Sequence, residues 1–292
     1  MLNKNIHINY PEGKITIGAN QPLIFIGGPC AIESYDHSMK MANQISTICK
    51  KLKIKFIFKS CYDKDCRSSP DSFHGLGLSE GLDILSKVRS EFCVPVTSDF
   101  SDPQWAEDTA KICDLIQIPA YLCRQTSILK AAAKTNKPIN IKKGQFMSPW
   151  NMKNSVQKLE SYGSSEIILT DRGTFFGYNM LINDMRSLPI MSETGYPVCF
   201  DASHSVQLPT SMGNISGGQR EFIPHLVRAS VATGISALFI EVHDNPKVAM
   251  SDKNTVLNIK FLERILDEAI KVHEITQELK DKYGEEYIYH EV

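Results

Sequence analysis

LIFIGGPCAIES, residues 23–34, is an apolar run that breaks off at a reactive side chain, Cys30. A doubly wound open sheet usually carries a GxGxxG fingerprint behind its first strand. GGPCAIES lacks that spacing, so this start argues against an open sheet. Seven more runs repeat the pattern outward along the chain. IKFIFKS ends at Lys59 and Ser60, VPVTSDF at Asp99, and DLIQIPAY passes Gln117 to Ala120 and Tyr121. PINIKKGQF carries Lys142, Lys143 and Gln145, and EIILTDRG ends at Asp171 and Arg172. YPVCFDASH ends at Asp201 and His204, and ALFIEVH at Glu241 and His243. The runs are apolar rather than alternating, as expected of parallel strands covered on both faces.

Helical spacing fills the intervals. Leu78, Leu82, Leu85 and Val88 follow the second run, and Ile128, Leu129, Ala132 and Ala133 the fourth. Phe222, Leu226, Val227 and Ser230 follow the seventh, and Leu262, Ile265, Leu266, Ala269 and Ile270 the eighth. Eightfold strand–helix alternation predicts an α/β fold, the (β/α)8 TIM barrel. IHINY and KITIG around Pro11-Glu12-Gly13 predict a short N-terminal β-hairpin plugging the bottom of the barrel. With no long linker, residues 1–292 read as one domain: a hairpin within 1–21, the barrel, and a C-terminal helix and tail over 258–292. Thr210 to Gly218, rich in Gly and Ser, reads as a loop on the catalytic face.

Charge is nearly balanced, with 32 basic and 33 acidic residues, so nothing in it points to nucleic acid or an anionic membrane. No apolar stretch reaches the roughly 18 residues of a membrane span, and the N-terminus lacks a signal-peptide pattern. Eight scattered cysteines without a CxxC read as reduced thiols in the cytoplasm.

Three constellations carry chemistry. Lys59, Lys142 and Arg172 sit at strand ends, with Lys64, Arg67 and Lys143 nearby and Ser68 and Ser69 as hydroxyl donors. Converging cations suit a phosphorylated or carboxylated small substrate. Taken singly, each lysine reads equally well as a solvated loop charge. Cys30, His204, Glu241 and Asp252 form a possible divalent-metal set for Zn, Fe or Mn. The bland reading makes Cys30 a small buried residue and His204 a structural one. Asp99, Asp201 and His243 are candidates for bonding substrate hydroxyls or orienting a ligand.

The segments GGPCAIES, FKSCYDKDCRSS, FHGLGLSEGLDIL, LIQIPAYLCRQT, INIKKGQFMSPW, LTDRGTFFGYNMLINDMRSLPIM, FDASHSVQLP and GGQREFIP resemble the 3-deoxy-D-manno-octulosonate 8-phosphate synthase family. The resemblance spans roughly Leu23 to Leu257. It implies a barrel that condenses phosphoenolpyruvate with D-arabinose 5-phosphate for lipopolysaccharide, usually as a homotetramer whose subunits share the sugar-phosphate site. The sister synthases that use erythrose 4-phosphate share the GPC start, the DRG turn and the terminal Glu. They differ at the second-strand turn, where this chain has Asp63 to Ser69, and at the fourth-strand end, where it has Gln117-Ile118-Pro119-Ala120-Tyr121.

Position by position, the resemblance implies phosphoenolpyruvate among Lys59, Lys64, Lys142, Gln145 and Arg172, with Ser60, Gln117 and Ala120 in the same substrate site. It puts the sugar phosphate on Arg67 and Ser68 and the sugar hydroxyls on Asp99. Lys142, His204, Asp252 and Asp99 are the implied catalytic groups. Cys30 marks the metal-dependent class, with His204, Glu241 and Asp252 as the other ligands. The chain departs from the family at Cys66, where asparagine is usual, at Asp99-Phe100-Ser101-Asp102, at His243-Asp244 and at Asn151. A barrel that binds phosphosugars without catalysis is the reading from another class.

Overall fold

The computed structural model describes residues 4–65, 67, 69, 71–212 and 215–284. The hairpin comes first: β1 (Ile6–Tyr10) pairs antiparallel with β2 (Gly13–Ile17), Ile6 facing Ile17. Its alternate isoleucines, Ile6, Ile8, Ile15 and Ile17, are buried. The His7 amide donates to Glu166 (2.6 Å) just before a barrel strand, and the Lys4 amide to the Gly195 carbonyl (2.8 Å) before another. The hairpin therefore closes the N-terminal end of the barrel, where the sequence puts it.

The barrel begins with β3 (Ile24–Gly28), α1 (Tyr35–Leu52), β4 (Phe56–Lys59), α2 (Leu78–Phe92), β5 (Val96–Asp99) and α3 (Ala106–Ile112). It goes on through β6 (Leu115–Ile118), α4 (Thr126–Lys134), β7 (Ile139–Lys142), α5 (Met152–Ser161) and β8 (Ile167–Asp171). A two-stranded ribbon, β9 (Thr174–Phe175) and β10 (Leu181–Ile182), precedes α6 (Ser187–Ser192) and β11 (Val198–Asp201). A second ribbon, β12 (Gln207–Met212) and β13 (Ile215–Gly218), precedes α7 (Ile223–Ala232) and β14 (Ala237–His243). β15 (Leu257–Asn258) and α8 (Leu262–Tyr283) end the described chain. The parallel strands run β3-β4-β5-β6-β7-β8-β11-β14, and β14 pairs back onto β3 to close the ring.

Each of the eight apolar runs is one barrel strand. They are apolar on both faces because the ring interior and the helices cover them, and β4, β6, β7 and β14 are buried at every position. Two expectations shift. Thr210–Gly218 is mostly ribbon rather than open loop, since two short strands satisfy each other's backbone whatever their Gly and Ser content. Phe222 precedes α7 instead of joining its buried stripe, and is exposed.

Candidate active site

Strand pleating sends alternate side chains into the ring, and parallel pairing keeps neighbours level. Asp99, Gln117 and Asn140 are level on β5, β6 and β7. Thr170 donates to Asn140 Oδ1 (2.5 Å), Asn140 to Gln117 Oε1 (2.9 Å), and Gln117 to Asp99 Oδ1 (2.7 Å). This one-way chain ends on the carboxylate and fixes its orientation. Burial disfavours charge on Asp99, but Lys59, Lys142 and Lys64 outweigh it and hold the carboxyl down at about 2. The Cys61 thiol donates to its other oxygen (2.6 Å), so Cys61 supports Asp99; Cys66 lies outside the described residues.

On the neighbouring strand β4, Lys59, fully buried and 3.9 Å from Asp99 Oδ2, donates to Glu241 (2.5 Å) and to the Cys30 carbonyl (3.0 Å). Lys142 Nζ meets Asp201 Oδ2 (2.7 Å) and lies 3.7 Å from the Phe239 ring centroid. Asp201 also holds His204 Nδ1 at 2.7 Å. Burial opposes ionisation of Asp201, yet His204 and Lys142 keep it far below the usual carboxylate range. Asp201 thus orients a lysine and a histidine at once, and does not face the cavity.

That contact leaves His204 Nε2 aimed at Glu241 Oε2 (3.5 Å) and Asp252 Oδ2 (3.7 Å). Cys30 Sγ lies 3.0 Å from Asp252 Oδ2 and 3.1 Å from Ser251 Oγ. Cys30, Glu241 and Asp252 each bring a donor atom within 4.8 Å of the other two. Glu241 Oε2 is buried without a hydrogen-bond partner. A buried carboxylate oxygen facing an imidazole, a carboxylate and a thiol is a poor arrangement for the apo protein and a good one around a cation. Burial, with Asp252 and Glu241, pushes the Cys30 thiol up, so it keeps its proton until a cation displaces it. His204 carries its outer carboxylate, Asp201, as metal-binding histidines do. The residues present fit a divalent ion.

Above this cluster lies a cavity of about 320 Å³ at the C-terminal ends of the strands. Lys64 and Arg67 reach it from the loop after β4, and Asp99 from β5. Ala120 comes from the end of β6, Lys142 and Gln145 from β7, and Arg172 from β8. His204 and Asp252 form the far wall. Asp252 sits in the left-handed backbone region (φ 49°), which aspartate tolerates better than most residues. Arg172 is 5% exposed, and its Nη2 donates to the neutral Gln207 (2.8 Å) while Nη1 has no partner. Burial lowers its pKa. Gln145 Oε1 is likewise buried and unpartnered. Arg67 Nη1 donates to Ser251, linking the loop after β4 to the loop that carries Asp252.

The sequence-predicted residues divide accordingly. Lys64, Arg67, Asp99, Ala120, Lys142, Gln145, Arg172, His204 and Asp252 share the cavity. Lys59, Gln117, Cys30 and Glu241 lie beneath it, spent on one another or on their neighbours. Gln117 accepts from Asn140 and donates to Asp99, and so supports Asp99 from beneath the cavity. Ser60 is buried and off the wall, its Oγ without a partner. Lys143 points away from the cavity, bonding the Gly144, Met147 and Gly173 carbonyls and Thr174; burial lowers its pKa. Asp171 is spent on the Gly173 amide and Ser187. His243 stands apart, against Glu33 and Asp244. Ser68 lies outside the described residues. Sequence reasoning missed Gln207 and Ser251, whose only signal is closeness in sequence to His204 and Asp252.

Fold and site together define a barrel enzyme for small anionic molecules. The DAHP synthetase I family model matches residues 4–278. The chain is 51% identical over 261 residues to the 2-dehydro-3-deoxyphosphooctonate aldolase of Protochlamydia amoebophila, covering 89% of this chain and 95% of that protein. It is 52% identical over 258 residues to the protein of that name from a Cyanothece species, covering 88% and 94%. The Rickettsia typhi protein of that name is 48% identical over 264 residues, covering 90% and 96%. The chain belongs to the 2-dehydro-3-deoxyphosphooctonate aldolase branch of the DAHP synthetase I family.

Proposed function

We propose that this enzyme condenses phosphoenolpyruvate with D-arabinose 5-phosphate and water. The products are 3-deoxy-D-manno-octulosonate 8-phosphate, a lipopolysaccharide precursor, and inorganic phosphate. The observation that carries this reading is Arg172, a buried guanidinium on the cavity wall with a free Nη1 and only a neutral side-chain acceptor among the described residues. A buried cation with no ion-pair partner among the described residues calls for an anionic ligand. Lys142, Lys64 and Gln145 around it suit phosphoenolpyruvate, and Arg67, on the other rim, suits the sugar phosphate. The cavity lies at the lower end of the usual 300–1,000 Å³ range for ligand sites, in keeping with two small metabolites. The family description names the sister activity, but the relatives at 48–52% identity carry the octulosonate name.

In this reading the lysines and Arg172 hold phosphoenolpyruvate with its C3 about 3–3.5 Å from the sugar aldehyde, which removes several kcal/mol of orientational cost. Asp99, fixed by the Thr170–Asn140–Gln117 chain, bonds the sugar hydroxyls. C3 attacks the aldehyde carbon, and the cationic charge left at C2 is captured by water. Phosphate then leaves with its C–O bond broken, while Lys142 and Arg172 offset its charge. Cys30, His204, Glu241 and Asp252 would hold a Zn, Fe or Mn ion, which polarises a carbonyl or lowers the pKa of a water when bound.

Phosphate release with phosphoenolpyruvate and each sugar tests the assignment. Turnover with arabinose 5-phosphate and little with erythrose 4-phosphate is expected. The reverse preference identifies the sister enzyme, and no release with either identifies a binding-only barrel. Arg67→Ala should raise the KM for the sugar phosphate about 10–100-fold, as loss of a charge-assisted hydrogen bond predicts, with the KM for phosphoenolpyruvate nearly unchanged. Equal rises would put the sugar phosphate elsewhere.

A homotetramer is part of the proposal. The ribbon after β8 exposes Phe175, Phe176, Tyr178, Met180 and Ile182, and an apolar patch of that kind suits burial against another subunit. The Phe175 amide donates to the Gln145 carbonyl, so the same ribbon touches the cavity wall. Sedimentation equilibrium should give four chains, and Tyr178→Glu with Phe176→Glu fewer; a wild-type monomer overturns the assembly. The described cysteines are unpaired and no described helix is long and apolar enough to cross a membrane. We place the protein in the cytoplasm on the thiols; recovery in a periplasmic fraction would remove that placement.

A further inference from the structure

Outside the catalytic cavity, Glu33, His37 and His243 bring three donor atoms within 4.8 Å of one another. Their backbones are fixed independently. Ser34 caps α1 by accepting from the His37 amide (3.1 Å), which sets Glu33 and His37 one turn apart across the helix start. His243 is the last residue of β14 and is 2% exposed. One oxygen, Asp244 Oδ1, lies 3.2 Å from His37 Nε2 and 3.1 Å from His243 Nδ1. Lys40 holds the other oxygen of that carboxylate at 2.6 Å.

His37 Nε2 bonds Asp244 Oδ1, so with its proton there His37 Nδ1 is a lone pair, and a proton on His243 Nδ1, beside Asp244 Oδ1, would free His243 Nε2 to ligate as well. Both nitrogens are buried and without a hydrogen-bond partner. They flank one carboxylate: His243 Nε2 is 3.3 Å from Glu33 Oε1, and His37 Nδ1 is 4.0 Å from Glu33 Oε2. The Asn245 amide donates to His243 Nδ1 (2.9 Å) and Asp244 Oδ1 (3.0 Å), so without an ion the His243 proton sits on Nε2 toward Glu33; an ion would take its place, the proton moving to Nδ1 beside Asp244 and the amide keeping Asp244 as acceptor. Two buried ring nitrogens that converge on one carboxylate without a hydrogen bond of their own are placed to share a cation with it. A carboxylate behind a metal-binding imidazole is also the usual outer shell.

We infer that Glu33, His37 and His243 form a second metal site, for a borderline divalent transition ion, oriented by Asp244. Two imidazoles and one carboxylate suit Zn, Co, Ni or ferrous iron better than Mg or Ca, which prefer oxygen alone. Glu33 Oε1 also accepts the Met250 amide (2.9 Å), two residues before Asp252. An ion here clamps the start of α1 to the end of β14 and to the loop that supplies Asp252. Its role is structural, since the donors are not on the cavity wall.

Cobalt uptake tests the site and separates it from the Cys30 cluster. Chelator-stripped wild-type enzyme reloaded with Co²⁺ alone should bind two equivalents. One carries a thiolate-to-cobalt charge-transfer band in the near ultraviolet; the other shows only visible ligand-field bands. Cys30→Ala should keep one equivalent without the charge-transfer band, and Co²⁺ should still raise its Tm. His37→Ala and His37→Gln should keep one equivalent with that band. A single equivalent in wild type that is lost with Cys30 and unaffected at His37 overturns this site and leaves the catalytic proposal intact. A single equivalent lost with His37 supports this site and counts against the Cys30 cluster.

Discussion

Stripping divalent ions with a strong chelator should abolish turnover, and Mn²⁺, Fe²⁺ or Zn²⁺ should restore it. The expectation rests on Glu241 Oε2, buried and unpartnered beside His204, and on a Cys30 thiol pushed up by burial and by its carboxylate neighbours. Burial opposes charge on Glu241 too, yet Lys59 and His204 hold it at about 2, so its carboxylate stays ionised near neutral pH. Such a pocket gives up the thiol proton readily to a cation and poorly to bulk solvent. Cys30→Ala should cost at least about a hundredfold in kcat, the upper end of what losing even an outer-shell partner costs. Phosphate release measured against metal content checks both. Full activity in protein with no detectable metal removes Cys30 from catalysis.

Arg172→Met should lower kcat/KM for phosphoenolpyruvate by about a thousandfold, while leaving stability unchanged or higher. Two charge-assisted hydrogen bonds at ~2 kcal/mol each amount to ~4 kcal/mol, and each 1.4 kcal/mol is tenfold. The stability sign is opposite because the guanidinium is desolvated without an ion pair among the described residues. Replacing such a group with an apolar chain of similar length removes a cost. Arg172→Lys should recover part of the loss, since it restores charge but not the planar fork. Steady-state kinetics and denaturant unfolding give the two readouts. Parallel falls in activity and stability would make Arg172 a structural residue and leave the anion site without its anchor.

The adjacent lysines show why parts of the site were readable and others were not. The run PINIKKGQF announces a strand ending in cations, but pleating sends neighbours to opposite faces. Lys142 enters the ring against Asp201, while Lys143 turns out to four acceptors on its own side. Gln117 carries the same lesson. Its place at a strand end was legible, but its occupation by Asp99 and Asn140 depends on level neighbours set by parallel register. Gln207 and Ser251 gave no pattern of their own, because each acts through a partner far away in sequence.

The sequence by itself determined the barrel, its N-terminal hairpin, and most of the residues that meet at the mouth. Strands covered on both faces must be apolar along their length, so the polar residue that ends each run stands out. Tertiary structure alone decided which of those residues reach the cavity and which are spent beneath it. It also decided that His243, expected near the substrate, faces Glu33 and His37 instead. Closure of the ring sets register and pleat phase together, and no local pattern encodes the neighbour that a side chain meets across the barrel.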